Sequence, residues 1–301
     1  MTTTQEQFRR ERVRLKRSPR HLSGEVIENF SASFNALGNL AYTGAQVSAS
    51  ILDLVGGKVL CAIDEKISLP TASVGKVLLL IEVAAQISSG KLSDFDLIDK
   101  TPEDEVGDSG IWQHLQAPSL PIADLAALVA STSDNLATNL LLKEVGIEAV
   151  RHRAEGLGLS RTALLDLVRD NRGPDDAPQL SVGTAAELSW LMGALYRGQV
   201  VDPLTCKRVL SWMSMNVDLS LVARAFGLDP LAHRNRDHGM LLMNKTGTDV
   251  GVRSEIGILK GPRTTVAYAV TVNFSDETMG ARLRVLEALK IVGLDILEAV
   301  H

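Results

Sequence analysis

Apolar residues change their rhythm twice along this chain. Residues 45–54, AQVSASILDL, and 57–63, GKVLCAI, are apolar and partly alternating, with Gly56-Gly57 between them. That pattern predicts a strand hairpin. From 73 to about 200 the apolar residues recur at three- and four-residue steps. VGKVLLLIEVAAQISSG, PIADLAALVASTSDNLATNLLLKEVG and TAAELSWLMGALYRG all carry this helical spacing. After about 239 strands return as MLLMNKTG, VRSEIGILK and TTVAYAVTVNF, and the chain closes on an amphipathic helix, MGARLRVLEALKIVGLDILEAV. An earlier segment, VIENFSASFNALGNLAY, also reads as an amphipathic helix.

Strands at both ends therefore bracket a helical middle. Neither end buries a sheet face alone, so the two ends are expected to pair into one sheet of an α+β protein. The expected organisation is a basic arm over 1–22, a discontinuous sheet unit over 23–70 and 203–301, and a helical unit over 71–202. The stretch RDNRGPDDAPQL, 169–180, is polar, carries Pro and Gly, and reads as a loop.

Composition narrows the class. The 301 residues are 45% hydrophobic and 22% charged, with a net charge of −5, as in a globular protein and unlike a basic nucleic-acid binder. No apolar run approaches the roughly 20 residues that span a bilayer. The N-terminal MTTTQEQFRRERVRLKRSPRH lacks the apolar stretch of a secretory signal, so a cytoplasmic location is expected. Its cluster from Arg9 to Arg20 reads as a solvated arm, with docking on an acidic surface as the alternative. Cys61, within VLCAI, is expected to be a buried small hydrophobe, and no disulfide to Cys206 is expected. His233 and His238 stand five apart without further ligands, so they read as part of a surface loop rather than a metal pair. No metal and no cofactor is implied.

Three short motifs carry the chemistry. Ser73-Val74-Gly75-Lys76 places a hydroxyl and an amine one helical turn apart, on one face. Taken singly it is weak, since Ser88-Ser89-Gly90-Lys91 has the same spacing and Ser73 could be a helix cap. Ser133-Asp134-Asn135 lies where a loop meets a helix, and Asp134 or Asn135 could be a cap there. Lys245-Thr246-Gly247 lies on a predicted strand and could be a turn. Together, in this order, they form the S-x-x-K, S-D-N, K-T-G set of penicillin-recognising serine enzymes.

The residue types suit an acyl transfer. A serine hydroxyl attacks well only when a base takes its proton. Lys76 can be that base if burial and the charge of Lys245 lower its proton affinity. Ser133 can pass a proton to the departing nitrogen. Lys245 and Thr246 offer a cation and a hydroxyl to a substrate carboxylate, with Asn135, Gly247, Thr248 and Arg253 as further substrate-binding candidates. Arg253 lies eight residues past Lys245, and a strand-surface charge is its equal alternative. Backbone N–H groups of Ser73 and Thr248 are the expected oxyanion donors. Trp112 and His114 are candidates for the pocket rim, and core packing is an equal reading for Trp112.

The chain resembles the class A β-lactamases. The resemblance extends beyond the motifs to GDSGIWQHLQ (107–116), SDNLATNLLLKEVG (133–146) and GVRSEIGIL (251–259), and to the 60-residue step from Ser73 to Ser133. It covers roughly 25–300. It implies an antiparallel sheet flanked by helices, an all-helical part, and a small substrate, either a β-lactam or another carboxylate-bearing amide or ester. No nucleic acid or membrane partner is implied, and nothing in the sequence requires an oligomer.

One departure stands out. The family carries a glutamate on the loop after S-D-N that holds the hydrolytic water, and Val168 falls at that position here. Asp166, Asp170, Asp175 and Asp176 are nearby, either as substitutes or as solvated loop carboxylates. The resemblance thus implies a serine acyl-enzyme former with weak or altered lactamase turnover. A cytoplasmic esterase or transacylase, and a penicillin-binding protein that acylates and stops, are the alternatives.

Overall fold

The computed structural model describes residues 30–301; the basic arm expected over 1–22 lies outside the described residues. Helix α1 (Ser31–Tyr42) leads into the expected hairpin, β1 (Gln46–Asp53) and β2 (Val59–Ile63). Next come β3 (Leu69–Pro70), α2 (Lys76–Ser88), β4 (Leu97–Asp99) and β5 (Ser119–Pro121). Helices α3 (Ile122–Ser131), α4 (Asn135–Val145) and α5 (Ile147–Gly156) follow, then β6 (Ala163–Leu164) and β7 (Ser181–Gly183). The chain continues through α6 (Ala185–Tyr196), α7 (Pro203–Met213), β8 (Leu241–Asp249), β9 (Val252–Lys260), β10 (Thr265–Asn273) and α8 (Met279–Val300).

The two ends do share one sheet. Its strand order is β2-β1-β10-β9-β8, and β1 pairs antiparallel with β10 from Gln46↔Asn273 to Asp53↔Val266. Alternation along β10 divides the core. Val266, Tyr268, Val270 and Val272 face α1, α8 and the 3-10 turn Val222–Phe226. Ala267 and Ala269 belong to the other cluster, with the apolar side chains of α2 to α7. Helix α6, grouped with the helical middle in the sequence reading, packs directly on β1, β9 and β10. Burying both sheet faces explains why β9 has little period-2 contrast: eight of its nine residues are buried.

Helix α2 is apolar all round and buried from Lys76 to Gln86. It is therefore a central rod rather than a surface helix. Its N-terminal end meets the outer edge of β8, so the sheet margin and the helical block share one seam.

Candidate active site

The seam is where the three motifs meet. Ser73 is half-buried within a 3-10 turn, Ala72–Gly75, that leads into α2. No side-chain cap hydrogen bond starts this turn or α2, so Ser73 is not serving as a cap. The preceding Ala72 is held at φ +48°, a left-handed conformation unfavourable for a residue with a Cβ. A buried hydroxyl pair holds it there. Ser181 Oγ donates to the Ala72 carbonyl at 2.6 Å, so the Thr71 hydroxyl must donate to Ser181 at 2.7 Å. Gly75 fits the same corner, since a Cβ on it would lie 2.3 Å from Ser181 Cβ.

Edge strand β8 lies against this turn. A Cβ at Gly247 would stand 2.2 Å from the Thr71 carbonyl oxygen and 3.1 Å from the Ser73 nitrogen. Only glycine lets the strand approach so closely. The K-T-G segment is therefore in-strand, not a turn.

Ser133 closes the set. It too has positive φ, +57°, in the gap between α3 and α4. Its hydroxyl receives hydrogen bonds from Lys76 Nζ at 3.3 Å and from Lys245 Nζ at 3.1 Å. Lys76 also donates to the Ser133 carbonyl at 2.6 Å and to Asn135 Oδ1 at 2.7 Å. Asn135, expected to touch substrate, accepts from Lys76 in this structure, and its Nδ2 donates to the Gly107 carbonyl. Asp134 is the cap of α4: it accepts from Ala137 N–H, and also from the N–H groups of Ile111 and Trp112. The capping reading of S-D-N thus holds for Asp134, while its two neighbours face the lysines.

Electrostatics follow from burial. Lys76 and Lys245 are both fully buried. Desolvation, then the charge of Lys245, drives the Lys76 ammonium well below its usual value, while Asp134 and Asp108 pull the other way. Burial brings Lys245 down to about 8, opposed by Asp218 and Glu255.

The other candidates are distributed less tightly. Thr246 is buried and Thr248 exposed on β8. Arg253 pairs with Thr248 across the ladder, but Nη1 donates to the Asp249 and Val252 carbonyls and the guanidinium stands 5.9 Å over Phe274. Trp112 is fully buried core, with Nε1 donating to the Ala117 carbonyl, and His114 is exposed. His233 is buried against the Asp229 carbonyl while His238 is exposed. Among the described residues no cluster of His, Cys, Asp and Glu is assembled for a metal ion, and no helix is long and apolar enough to cross a membrane.

The loop after Leu165 is anchored at Val168. Asn139 accepts from Val168 N–H at 2.8 Å and donates to its carbonyl at 2.9 Å. Three of the four nearby carboxylates are already occupied. Asp166 bonds Arg169 and Arg172. Burial would raise it, but hydrogen bonds from Arg169, Leu167 N–H and Arg172 outweigh that and hold it low. Asp170 accepts from Gly107 N–H, Asp176 pairs with Arg169, and Asp175 is exposed. Three supports escaped sequence reading: the Thr71–Ser181 pair, the Asn139 clamp, and Glu255 beneath β8. All join residues far apart in sequence.

Known structures share this architecture. A β-lactamase from Sphaerobacter thermophilus DSM 20745 superposes with a TM-score of 0.78 at 25% identity, over 90% of this chain and 97% of that one. PBP-A matches with a TM-score of 0.75 at 17% identity, over 92% of this chain and 98% of its own. A variant of the class A β-lactamase of the last common ancestor of Gram-negative bacteria matches at 0.73 and 24% identity, over 89% and 98%. The model of the beta-lactamase enzyme family matches residues 29–300, and the chain belongs to that family.

Proposed function

We propose that this protein is a serine hydrolase that forms an acyl-enzyme on Ser73, from a β-lactam or a related amide or ester. The observation that carries this reading is the convergence of two buried lysine side chains on the Ser133 hydroxyl, beside the turn that bears Ser73. Lys76 acts as base. In neutral form it keeps two N–H donors for the Ser133 carbonyl and Asn135, and its lone pair receives the Ser73 proton. Ser73 Oγ bonds to the carbonyl carbon, the C–N or C–O bond breaks, and the leaving atom takes a proton through Ser133. Lys245 and Thr246 hold the substrate's carboxylate, and the N–H groups of Ser73 and Thr248 receive the oxyanion.

Deacylation is the weak step. Val168 offers no base, Asp166, Asp170 and Asp176 are tied to arginines or backbone, and Asp175 is exposed. This favours an enzyme that acylates readily and releases slowly, and leaves esters or acyl acceptors other than water as natural partners. A PBP-A mutant has been described as an acyl-enzyme complex with penicillin G, which makes that compound a suitable first probe. Intact-protein mass spectrometry after penicillin G should show one adduct, mapped to the Ser73 peptide and absent in Ser73→Ala. An adduct that survives Ser73→Ala would sink the assignment.

A further inference from the structure

Glu255 is a carboxylate that none of these steps uses. It sits in the middle of β9, fully buried, directly across the ladder from Thr246 of the K-T-G motif. Four donors surround it. Oε1 accepts from Asn244 Nδ2 at 2.8 Å and from the Tyr268 hydroxyl at 2.7 Å. Oε2 accepts from the N–H groups of Val222 at 2.7 Å and Ala223 at 3.2 Å. A carboxylate with both oxygens doubly supplied is built to be ionised, since a proton on it would displace one of four donors.

The residues it grips surround the catalytic seam. Asn244 immediately precedes Lys245 on β8. Val222 and Ala223 open the 3-10 turn that follows the segment Asn216–Leu221, and Val217 N–H of that segment donates to the Ser131 carbonyl, two residues before Ser133. Glu255 thus connects the strand carrying Lys245 to the wall that abuts the Ser133 loop.

We propose that Glu255 is a positioning residue of the Ser73 site: its buried carboxylate clamps the Val222–Ala223 turn to β8 and, together with Asp218, adds negative charge behind Lys245. The inference rests on the functional reading above for its relevance to catalysis. The charged and titratable groups around Glu255 are Lys245 on β8, Tyr268 on β10 and Asp218 on the wall. Without a nearby anion, full burial drives a lysine towards the neutral form. Glu255 and Asp218 oppose that, and Lys245 rests at about 8. Burial raises Glu255 itself to about 7, against the bonds from Tyr268, Asn244 and Ala223, so Glu255 is largely ionised where Lys245 titrates.

Glu255→Gln tests the charge with the shape retained. Asn244 Oδ1 has no hydrogen-bond partner among the described residues, so turning that amide gives the new side chain's NH2 an acceptor. The measurement is the titration of Lys245 by NMR of lysine-labelled protein, together with the pH profile of penicillin G acylation. Loss of one of the two anions that oppose burial should move Lys245 down, by about 0.5–1 pH unit. The alkaline limb of acylation should move down equally. Tyr268→Phe removes the foremost bond that holds Glu255 down, so Glu255 should titrate higher and its inflection in the Lys245 resonance should move up with it. Should Glu255→Gln fail to fold, the wild-type Lys245 resonance still decides, because it must show a second inflection as Glu255 titrates. An unmoved midpoint in Glu255→Gln, an inflection that Tyr268→Phe leaves in place, or a wild-type Lys245 blind to Glu255 would overturn the proposal. The two readings fail separately. A protein that never acylates but shows this titration contradicts the function alone; one that acylates with Lys245 indifferent to Glu255 contradicts the positioning role alone.

Discussion

Two regions of the molecule, the seam at Ser73 and the loop over 166–180, are built to different standards. On the nucleophile side, every polar atom that shapes the chemistry has a reason to be where it is. Lys76 and Lys245 share the Ser133 hydroxyl, and Gly247 admits the strand edge to within van der Waals contact of the Ser73 turn. Strain at Ala72 and Ser133, both at positive φ, is held by buried bonds on either side. On the other side the 166–180 loop is equally well bonded, but to itself. Asp166, Arg169, Arg172 and Asp176 satisfy one another, and Val168 contributes its backbone alone to Asn139. One region stores unfavourable conformations and displaced proton affinities, as sites do. The other has settled into low-energy pairs. Under the proposed function, that difference favours acylation over release.

Removing the base should break the first region most severely. Lys76→Ala is expected to slow acylation by penicillin G about 10²–10⁴-fold, as loss of a general base does, measured by mass spectrometry against time. A change under threefold would place the base elsewhere. Supplying what the second region lacks gives the next effect. Val168→Glu should accelerate adduct decay by about 10-fold or more, provided the Asn139 bonds to the 168 backbone survive. Unchanged decay would mean that the loop does not face the ester.

Gly247→Ala pushes a methyl towards the Thr71 carbonyl, so overpacking should cost about 1–3 kcal/mol in denaturant unfolding and retard acylation as β8 shifts away. Wild-type stability would show that the seam is looser than described. The mildest change is Asn139→Leu. It strands one donor and one acceptor of Val168 and should cost about 1–2 kcal/mol, with faster hydrogen exchange confined to the loop around 168. Equal exchange across β8 would erase the contrast between the two sides.

Much of the fold was open to sequence reading because periodicity reports burial. The hairpin, β8 to β10 and α8 all follow from spacing, and α8 spans Met279–Val300 as the apolar stripe indicates. Helix α7 carries its own signals, Asp202 as cap and Pro203 at the first position. The strands at 69–70 and 163–164 have two residues each, too few for any period. The motifs named Ser73, Lys76, Ser133 and Lys245 because acyl transfer needs those groups. What holds them was hidden. Nothing in an alanine announces a left-handed backbone, and nothing local links Ser181 to residue 72 or Glu255 to residue 222. Arg253 is the converse case: its guanidinium is bonded to the carbonyls of its own hairpin turn, which spacing along the strand does not reveal.

The account turns on fast acylation joined to slow release. A single mixing of the protein with penicillin G at neutral pH, followed by intact mass over time, measures both rates. The expected course is stoichiometric gain of one acyl group on Ser73 that persists long after free penicillin is removed. Rapid return to the unmodified mass, with many turnovers of hydrolysed penicillin and no accumulated adduct, would contradict it.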